Sequence, residues 1–482
     1  MRLLSALLMS TALAAHPVMA AEISYEGAKQ IEEKFTSFLP EKYAKSGLVK
    51  VRPGTTDYEI ILDPAVFLKD VDASQFSISG LKPFLSLIRP LDDGTWNVSQ
   101  SDSLDVKGQF TAQGEKTDFT YKIDAFKVDG IYDPEILYFK SANMSAGAIA
   151  MASKSPLQSL DAQFGKMTSV IDSNRAAGNT IDIRSKAVLE SFTETIVDPA
   201  KTKVDIAADH LAADVSMNGL AYKPLQDMVL FVMDKIKADK LAPADQARLK
   251  ELGRANLPMF GSLLEAIDVT NLKVATPTGT FGAENLRYTI QSNGLKDGAK
   301  AGFGILVEKP SIPPGLVPEA FKAALPETVA FNISLDNLNL KSGISYFIDN
   351  ADFNADKPLT DAQSAEAGRI FLPGGAMTIR YDDVYARSPV YDVSLSGTTT
   401  VYPAQPERQD TEVTIYARDF DKTVSYLQDN AQAVPQFGQA AFVLLMVKGF
   451  AKQSPDGRQM WTITVDETKK VKINGQDLPF QQ

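Results

Sequence analysis

Short runs in which apolar and polar residues take turns recur along almost the whole chain, and they restrict it to a fold built mainly of half-buried antiparallel strands. Trp96-Asn-Val-Ser, Phe119-Thr-Tyr-Lys-Ile, Ile181-Asp-Ile-Arg, Val204-Asp-Ile-Ala, Phe331-Asn-Ile-Ser-Leu, Tyr391-Asp-Val-Ser-Leu, Val413-Thr-Ile-Tyr and Trp461-Thr-Ile-Thr-Val each put every second side chain on one apolar face. Successive side chains of a strand point to opposite faces, so the pattern fits sheets with one dry and one wet face. The predicted fold class is α+β: strand-rich, with extended, curved antiparallel sheets packed with a few amphipathic helices, in a version of which two halves resemble each other.

The helices interrupt this pattern most clearly between Pro224 and Ile290. Leu225, Met228, Val229, Val232, Met233 and Ile236 fall at the i, i+3, i+4, i+7 spacing of a helix with one apolar stripe. Pro224 suits its first turn, where a missing N–H costs nothing. A second helix is predicted from Leu241–Asp245, with Leu249 and Leu252 on one face and Gly253 as its C-terminal cap. A third, short and apolar, is expected over Leu257–Ile267. Leu272 and Val274, then Leu286, Tyr288 and Ile290, alternate around a Pro/Gly-rich break and read as a strand pair.

Elsewhere the spacing predicts a helix over Tyr25–Phe38, with Ala28, Ile31, Phe35 and Phe38 on one side. It also suggests helices over Leu157–Ile171, around Phe321–Leu325 and within Phe420–Phe450. Phe84–Leu91 reads as a short helix or an extended segment, and 352–368 as a polar loop with a helical turn. Ser345-Tyr-Phe-Ile-Asp-Asn-Ala and Ser425-Tyr-Leu-Gln-Asp-Asn-Ala each follow an alternating strand. A duplicated strand-then-helix unit and a coincidence of short, biased words both account for them.

The chain opens with Arg2, a short apolar core and Val18-Met19-Ala20 before Ala21, which predicts a cleavable secretory signal peptide over 1–20. Its apolar run is shorter than the ~20 residues a bilayer span needs. No cysteine occurs, so neither lipoprotein acylation nor a disulfide framework is available. A periplasmic protein is expected, without a transmembrane span once the signal is removed. The 482 residues exceed one domain of ~100–200, and the sequence divides into a β-rich region over 21–220 and an α+β region over 221–482 that begins with the central helices. Net charge is −11, with Lys and Arg scattered. Such a chain lacks the basic field that nucleic acid or an anionic membrane requires. The one basic cluster, Lys469-Lys-Val-Lys472, reads as a solvated strand face.

The residue inventory removes much chemistry. His210 is the only imidazole beyond the signal, it sits in a strand context, and no Gly-x-Ser-x-Gly elbow accompanies it. Zinc sites of His and Cys are excluded by counting; no phosphate-binding or dinucleotide loop is present. Acidic pairs remain: Asp382-Asp383 and Asp419-x-Asp421 are the nearest to a glycosidase pair, although solvated turns explain them better. Asp349, Asn350, Asp352, Asn354 and Asp356 alternate like ligands of a hard cation, but lack the glycine and closing glutamate of an EF-hand loop. No catalytic residue, metal site or cofactor is therefore assigned. The candidate ligand surface is the apolar stripe Leu225, Met228, Val229, Val232, Met233 and Ile236, as the wall of a groove for a lipid-like molecule, with ordinary core packing as the other explanation.

Ile267-Asp-Val-Thr-Asn-Leu-Lys-Val-Ala-Thr-Pro-Thr-Gly, flanked by alternating strands, resembles the YdgA-like bacterial envelope proteins. It is also similar to a group of alphaproteobacterial exported proteins and, more distantly, to AsmA-like proteins. Trp461-Thr-Ile-Thr-Val followed by Val471-Lys-Ile-Asn-Gly-Gln-Asp-Leu carries the same likeness at the other end. The chain departs from YdgA-like members in having a cleavable signal where they often keep an anchor. The resemblance implies an envelope role without established catalysis and assigns no functional residue. The function expected is that of a non-enzymatic envelope protein binding a lipid-like ligand or a protein partner. The alternatives are a carboxylate-based hydrolase of envelope glycans and a structural scaffold.

Overall fold

Strands dominate the fold, and every pairing between them described below is antiparallel. The computed structural model describes residues 23–477, apart from 38, 40, 113, 137, 236–239, 467 and 468. The expected signal peptide, Phe38 and Ile236 thus lie outside the described residues. The chain forms two compact units, one running to Ser262 with residues 352–356 added, the other made of 263–351 and 357 onward.

In the first unit helix α1 (Tyr25–Ser37) precedes α2 (Glu41–Ala44), β1 (Val49–Pro53), β2 (Tyr58–Leu62), β3 (Phe76–Ser79), β4 (Phe84–Pro90), β5 (Trp96–Ala112) and β6 (Glu115–Asp133). Ala28, Ile31 and Phe35 are buried, as the spacing requires, against Val49, Tyr58, Ile60, Ile88 and Trp96. The segment from Phe84, open between helix and strand in the sequence, is β4, paired with β2 and β5.

β6 is 19 residues long and divides its partners. Phe126–Asp133 pairs with β7 (Tyr138–Ala146), while Asp118–Ile123 pairs with β8 (Ile149–Lys154). The remaining strands are β9 (Ser159–Phe164), β10 (Met167–Ala176), β11 (Thr180–Leu189), β12 (Phe192–Val197), β13 (Lys203–Ala208) and β14 (His210–Leu220). One branch of the sheet runs β7–β10–β11–β14, the other β8–β9–β12–β13. The helix expected over Leu157–Ile171 does not form. Leu160, Ala162 and Phe164 share one strand face, opposite Ile196, Glu194 and Phe192, and the period of two prevails over the helical reading.

Helices α3 (Tyr222–Lys235) and α4 (Pro243–Ala255) follow β14 and belong to the first unit. The division between the units therefore falls at Ser262, after these helices, where the sequence placed a boundary at 220/221. Gly253 lies inside α4, not at its end; Asn256 caps it, its Nδ2 donating to the Leu252 carbonyl at 2.8 Å and to the Pro224 carbonyl of α3 at 2.9 Å. The short helix expected over Leu257–Ile267 is instead the start of a strand, because Ile267 is paired with Tyr288.

The second unit is a meander in which β15 (Ser262–Thr276), β16 (Gly279–Ser292), β17 (Ala299–Ser311), β18 (Thr328–Leu338), β19 (Met377–Ser388), β20 (Tyr391–Val401) and β21 (Gln409–Arg418) each pair with the next. After the two-residue β22 (Lys452–Gln453), β23 (Gln459–Val465) joins β21, and β24 (Val471–Ile473) joins β23. Asn474 and Gly475, both at positive φ, make the turn their sequence announces.

Helices interrupt the meander between strands. α5 (Glu319–Lys322) precedes β18, α6 (Leu340–Asn350) and α7 (Asp361–Phe371) separate β18 from β19, and α8 (Phe420–Asp429) and α9 (Pro435–Lys448) follow β21. Residues 352–360 form the expected loop, and α7 extends the expected helical turn to a full helix: the Gln363 N–H donates to Thr360 Oγ1 and the Thr360 N–H to Gln363 Oε1, a capping box that starts the helix. The two similar seven-residue words occupy equivalent places in α6 and α8. Asn350 Nδ2 donates to the Tyr346 carbonyl and Asn430 Nδ2 to the Tyr426 carbonyl, each at 2.8 Å. A strand, a helix pair and a return strand thus recur in the second unit.

Candidate functional site

Five residues of the expected apolar stripe lie on α3. Leu225 and Met228 are half-buried on α3, whereas Val229 and Val232 are exposed; Met233 is on the same helix. Of the stripe's described side chains, two are half-buried and two face solvent, and Ile236 lies outside the described residues.

A larger apolar surface emerges from strand register in the second unit. Residues paired across an antiparallel sheet lie on the same face. Ile267 is paired with Tyr288, Tyr288 with Ile305, Ile305 with Phe331, Phe331 with Val384, Val384 with Leu395, Leu395 with Ile415 and Ile415 with Trp461. This single row crosses eight strands, roughly 34 Å at ~4.8 Å per strand. On one side runs Val269–Leu286–Val307–Val329–Ala386–Val393; on the other runs Ile290–Phe303–Ile333–Tyr381, and the Tyr288 and Phe303 rings meet at 5.2 Å.

A bulge keeps β19 in phase with this face. Between Tyr381 and Val384 the register shifts, so both side chains stay on the apolar side although they stand three positions apart, an odd step that would put them on opposite faces of a regular strand. Without the bulge, every residue after it would change faces. Gly397 is paired with Tyr381 there, at φ 137°, and a Cβ on it would lie 2.2 Å from the Glu412 carbonyl oxygen.

The opposite face is polar, with Gln291, Ser334, Arg380, Thr398, Glu412 and Thr464 lying in neighbouring strands. α8 and α9 cover the apolar face at one end. There they bury Ala417, Phe420, Val424, Ala441 and Trp461 in one cluster, and Trp461 Nε1 donates to the Val447 carbonyl at 2.8 Å. Over the middle of the row Ile267, Tyr288, Ile305, Val384 and Leu395 are partly buried, and Phe331 is 43 % exposed. Large aliphatic and aromatic side chains in a row, without a charged group among them, can hold a long apolar molecule by area alone.

The acidic candidates do not face one another. Asp382 and Asp383 are exposed in the β19 bulge. Ser334 Oγ donates to Asp382 Oδ2 at 2.8 Å, Lys300 Nζ to the same oxygen at 3.3 Å, and Asn332 Nδ2 to the Asp383 carbonyl at 3.1 Å. Asp419 precedes α8 in a left-handed conformation, and Asp421, exposed, pairs with Lys448. Asp419 adjoins the row Arg418–Asp392–Arg387, and Asp383 lies four residues from Arg387, about 13 Å along the strand. Glycosidase pairs stand about 5–10 Å apart.

Three of the five oxygen-bearing residues that alternate like ligands of a hard cation make other hydrogen bonds. Asn350 caps Tyr346, Asp352 Oδ1 accepts the Asn354 N–H, and the Asn354 amide binds the N–H and carbonyl of Leu241 at 2.7 and 2.8 Å. Among the described residues no group of three or more His, Cys, Asp or Glu side chains is arranged to hold a metal. His210 opens β14, half-buried.

The first unit has a polar cleft of about 680 Å³, where Asp93, Lys140, Asp172, Asp182, Arg184 and Asn218 meet. Its groups are mostly committed or solvated. Asp93 accepts from the Thr95 hydroxyl at 2.5 Å and N–H at 3.0 Å, which with Lys140 holds its carboxyl below the usual range. Asp182 accepts the Gly219 N–H at 2.8 Å, and Asp172 and Arg184 are exposed. Among the described residues no helix is long and apolar enough to cross a membrane.

No protein-family model matches the sequence, and neither a curated protein nor a solved structure matches the chain.

Proposed function

We propose that this protein is a non-catalytic, exported component of the bacterial cell envelope that holds a lipid-like molecule against the apolar face of its second unit. The observation that carries this reading is the row from Ile267 to Leu395, in which apolar side chains across six strands share one face without being fully buried and Phe331 is exposed. A monomeric soluble protein seldom leaves so large an apolar surface without an occupant. The predicted signal peptide and the likeness to YdgA-like and AsmA-like envelope proteins support a periplasmic setting. The ligand surface proposed here is the sheet face, with the α3 stripe outside it.

Native mass spectrometry of protein purified from the periplasm, combined with lipid extraction, tests the reading. The expected result is an adduct of lipid mass that disappears on extraction. Protein that repeatedly carries no hydrophobic molecule, and takes up none from added fatty acid, would end the lipid reading.

A further inference from the structure

The second unit exposes an apolar helix beside the open sheet face. Helix α9 carries no charged residue from Pro435 to Val447. Its inner side, Ala441 with Leu444 and Val447, packs in the cluster that contains Trp461, the last residue of the apolar row. Its outer side presents Phe442, Val443, Leu445 and Met446, each 43–63 % exposed. An ordinary surface helix would be polar on that side. Phe321 of α5 extends the patch: it is exposed, its ring lies 4.8 Å from Phe437 of α9, and Tyr426 of α8 donates to the Ala320 carbonyl.

We infer that the outer face of α9 docks on a lipid bilayer, lying in its surface and bringing the open apolar sheet face to the membrane. This deepens the lipid-binding reading and rests on it for its purpose, though not for its geometry.

Three observations choose the bilayer over other occupants. The outer α9 side chains expose on the order of 400 Å², about half of the ~800 Å² each partner of a stable dimer buries. Phe442, Val443, Leu445 and Met446 carry neither a charge nor a hydrogen-bonding group with which a protein partner could set its orientation, and the exposed polar side chains of the same helix, Gln436 and Gln439, are uncharged. The helix is also continuous with the sheet face through Trp461. At 14 residues α9 measures about 21 Å, too short to span a core of ~30 Å but suited to lie at its boundary.

Flotation of the purified full-length protein with neutral phosphatidylcholine vesicles tests the inference, compared with a Phe442→Asp/Leu445→Asp double variant. Both positions face solvent, so the variant should keep the circular dichroism and thermal midpoint of the parent. The expected result is at least a tenfold fall in vesicle partitioning in the variant. The parent should bind equally at 0.1 and 1 M salt, because no charge attracts it. A Met446→Trp variant should also show a blue-shifted emission on vesicles. Equal flotation of parent and double variant, or absence of flotation in the parent, would overturn the inference. So would a parent dimer that the double variant dissolves, since the occupant would then be a second copy. Flotation that persists in protein carrying no extractable lipid would instead refute the sheet-face reading and leave the docking surface standing.

Discussion

At the scale of single residues, two positions hold the second unit's geometry by means that hydrophobic pattern does not reveal. Asp297 caps α6 from a distant hairpin: Ser342 donates its N–H to Asp297 Oδ1 at 2.9 Å and its hydroxyl to Oδ2 at 2.6 Å. Those bonds hold the carboxyl below its ordinary pKa. A folded pKa depressed in this way adds stability that is present above the unfolded value of ~3.9 and lost as pH falls through the folded value. Asp297→Ala should cost about 1 kcal/mol at pH 7, as loss of an N-terminal cap does. Urea denaturation at several pH values should show the gap between parent and variant narrowing below pH ~4; a gap of constant size would remove the carboxylate from the account. Gly397 is the second position. Its φ of 137° and the 2.2 Å approach of the Glu412 carbonyl leave no room for a Cβ. Gly397→Ala should cost about 1–3 kcal/mol, read as a lower urea midpoint of Trp461 fluorescence, and an unchanged midpoint would show that the bulge level of the sheet relaxes freely.

At the scale of elements, alternation was legible wherever a strand has one wet face: Phe119–Ile123, Phe331–Leu335 and Trp461–Val465 all lie in strands. The mistaken helices arose where apolar residues crowd together. Leu257–Ile267 supports either period, and only the pairing of Ile267 with Tyr288 decides between them. α7 is longer than the expected helical turn because its stripe is weak, although Thr360-x-x-Gln363 announces its start. The candidate site was partly visible in the same way. Each strand shows its apolar side in the sequence, but the row that joins Ile305, Phe331 and Val384 depends on register, which one sequence does not disclose. A helix stripe such as that of α3 is legible within one segment and needs no register. The distinction can be measured. Phe331→Asp should leave the circular dichroism intact, because the side chain is 43 % exposed, yet weaken binding of a fluorescent fatty acid at least tenfold by placing a charge amid the apolar row. Glu412→Gln on the polar face should bind as the parent does. Equal binding by Phe331→Asp and the parent would move the ligand off this face.

At the scale of the whole molecule, the two units have separate apolar clusters, and each contains one of the chain's two tryptophans. Trp96 lies with α1 and β1 in the first, and Trp461 with α8 and α9 in the second. Trp461→Phe leaves a fluorophore that reports only on the first unit, and Trp96→Phe leaves one that reports only on the second. Separate clusters argue for separate transitions, so the two variants should differ in urea midpoint. A ligand that binds the native second unit alone stabilises it by RT ln(1 + [L]/Kd), about 2.7 kcal/mol at a hundredfold excess over Kd. Added fatty acid should therefore raise the Trp461 midpoint while the Trp96 midpoint stays where it was. A rise in the Trp96 signal alone would place the ligand in the first unit, against its polar cleft or its own sheet. Coincident transitions that rise together would mean that the units unfold as one body, and the two clusters would then no longer count as independent cores.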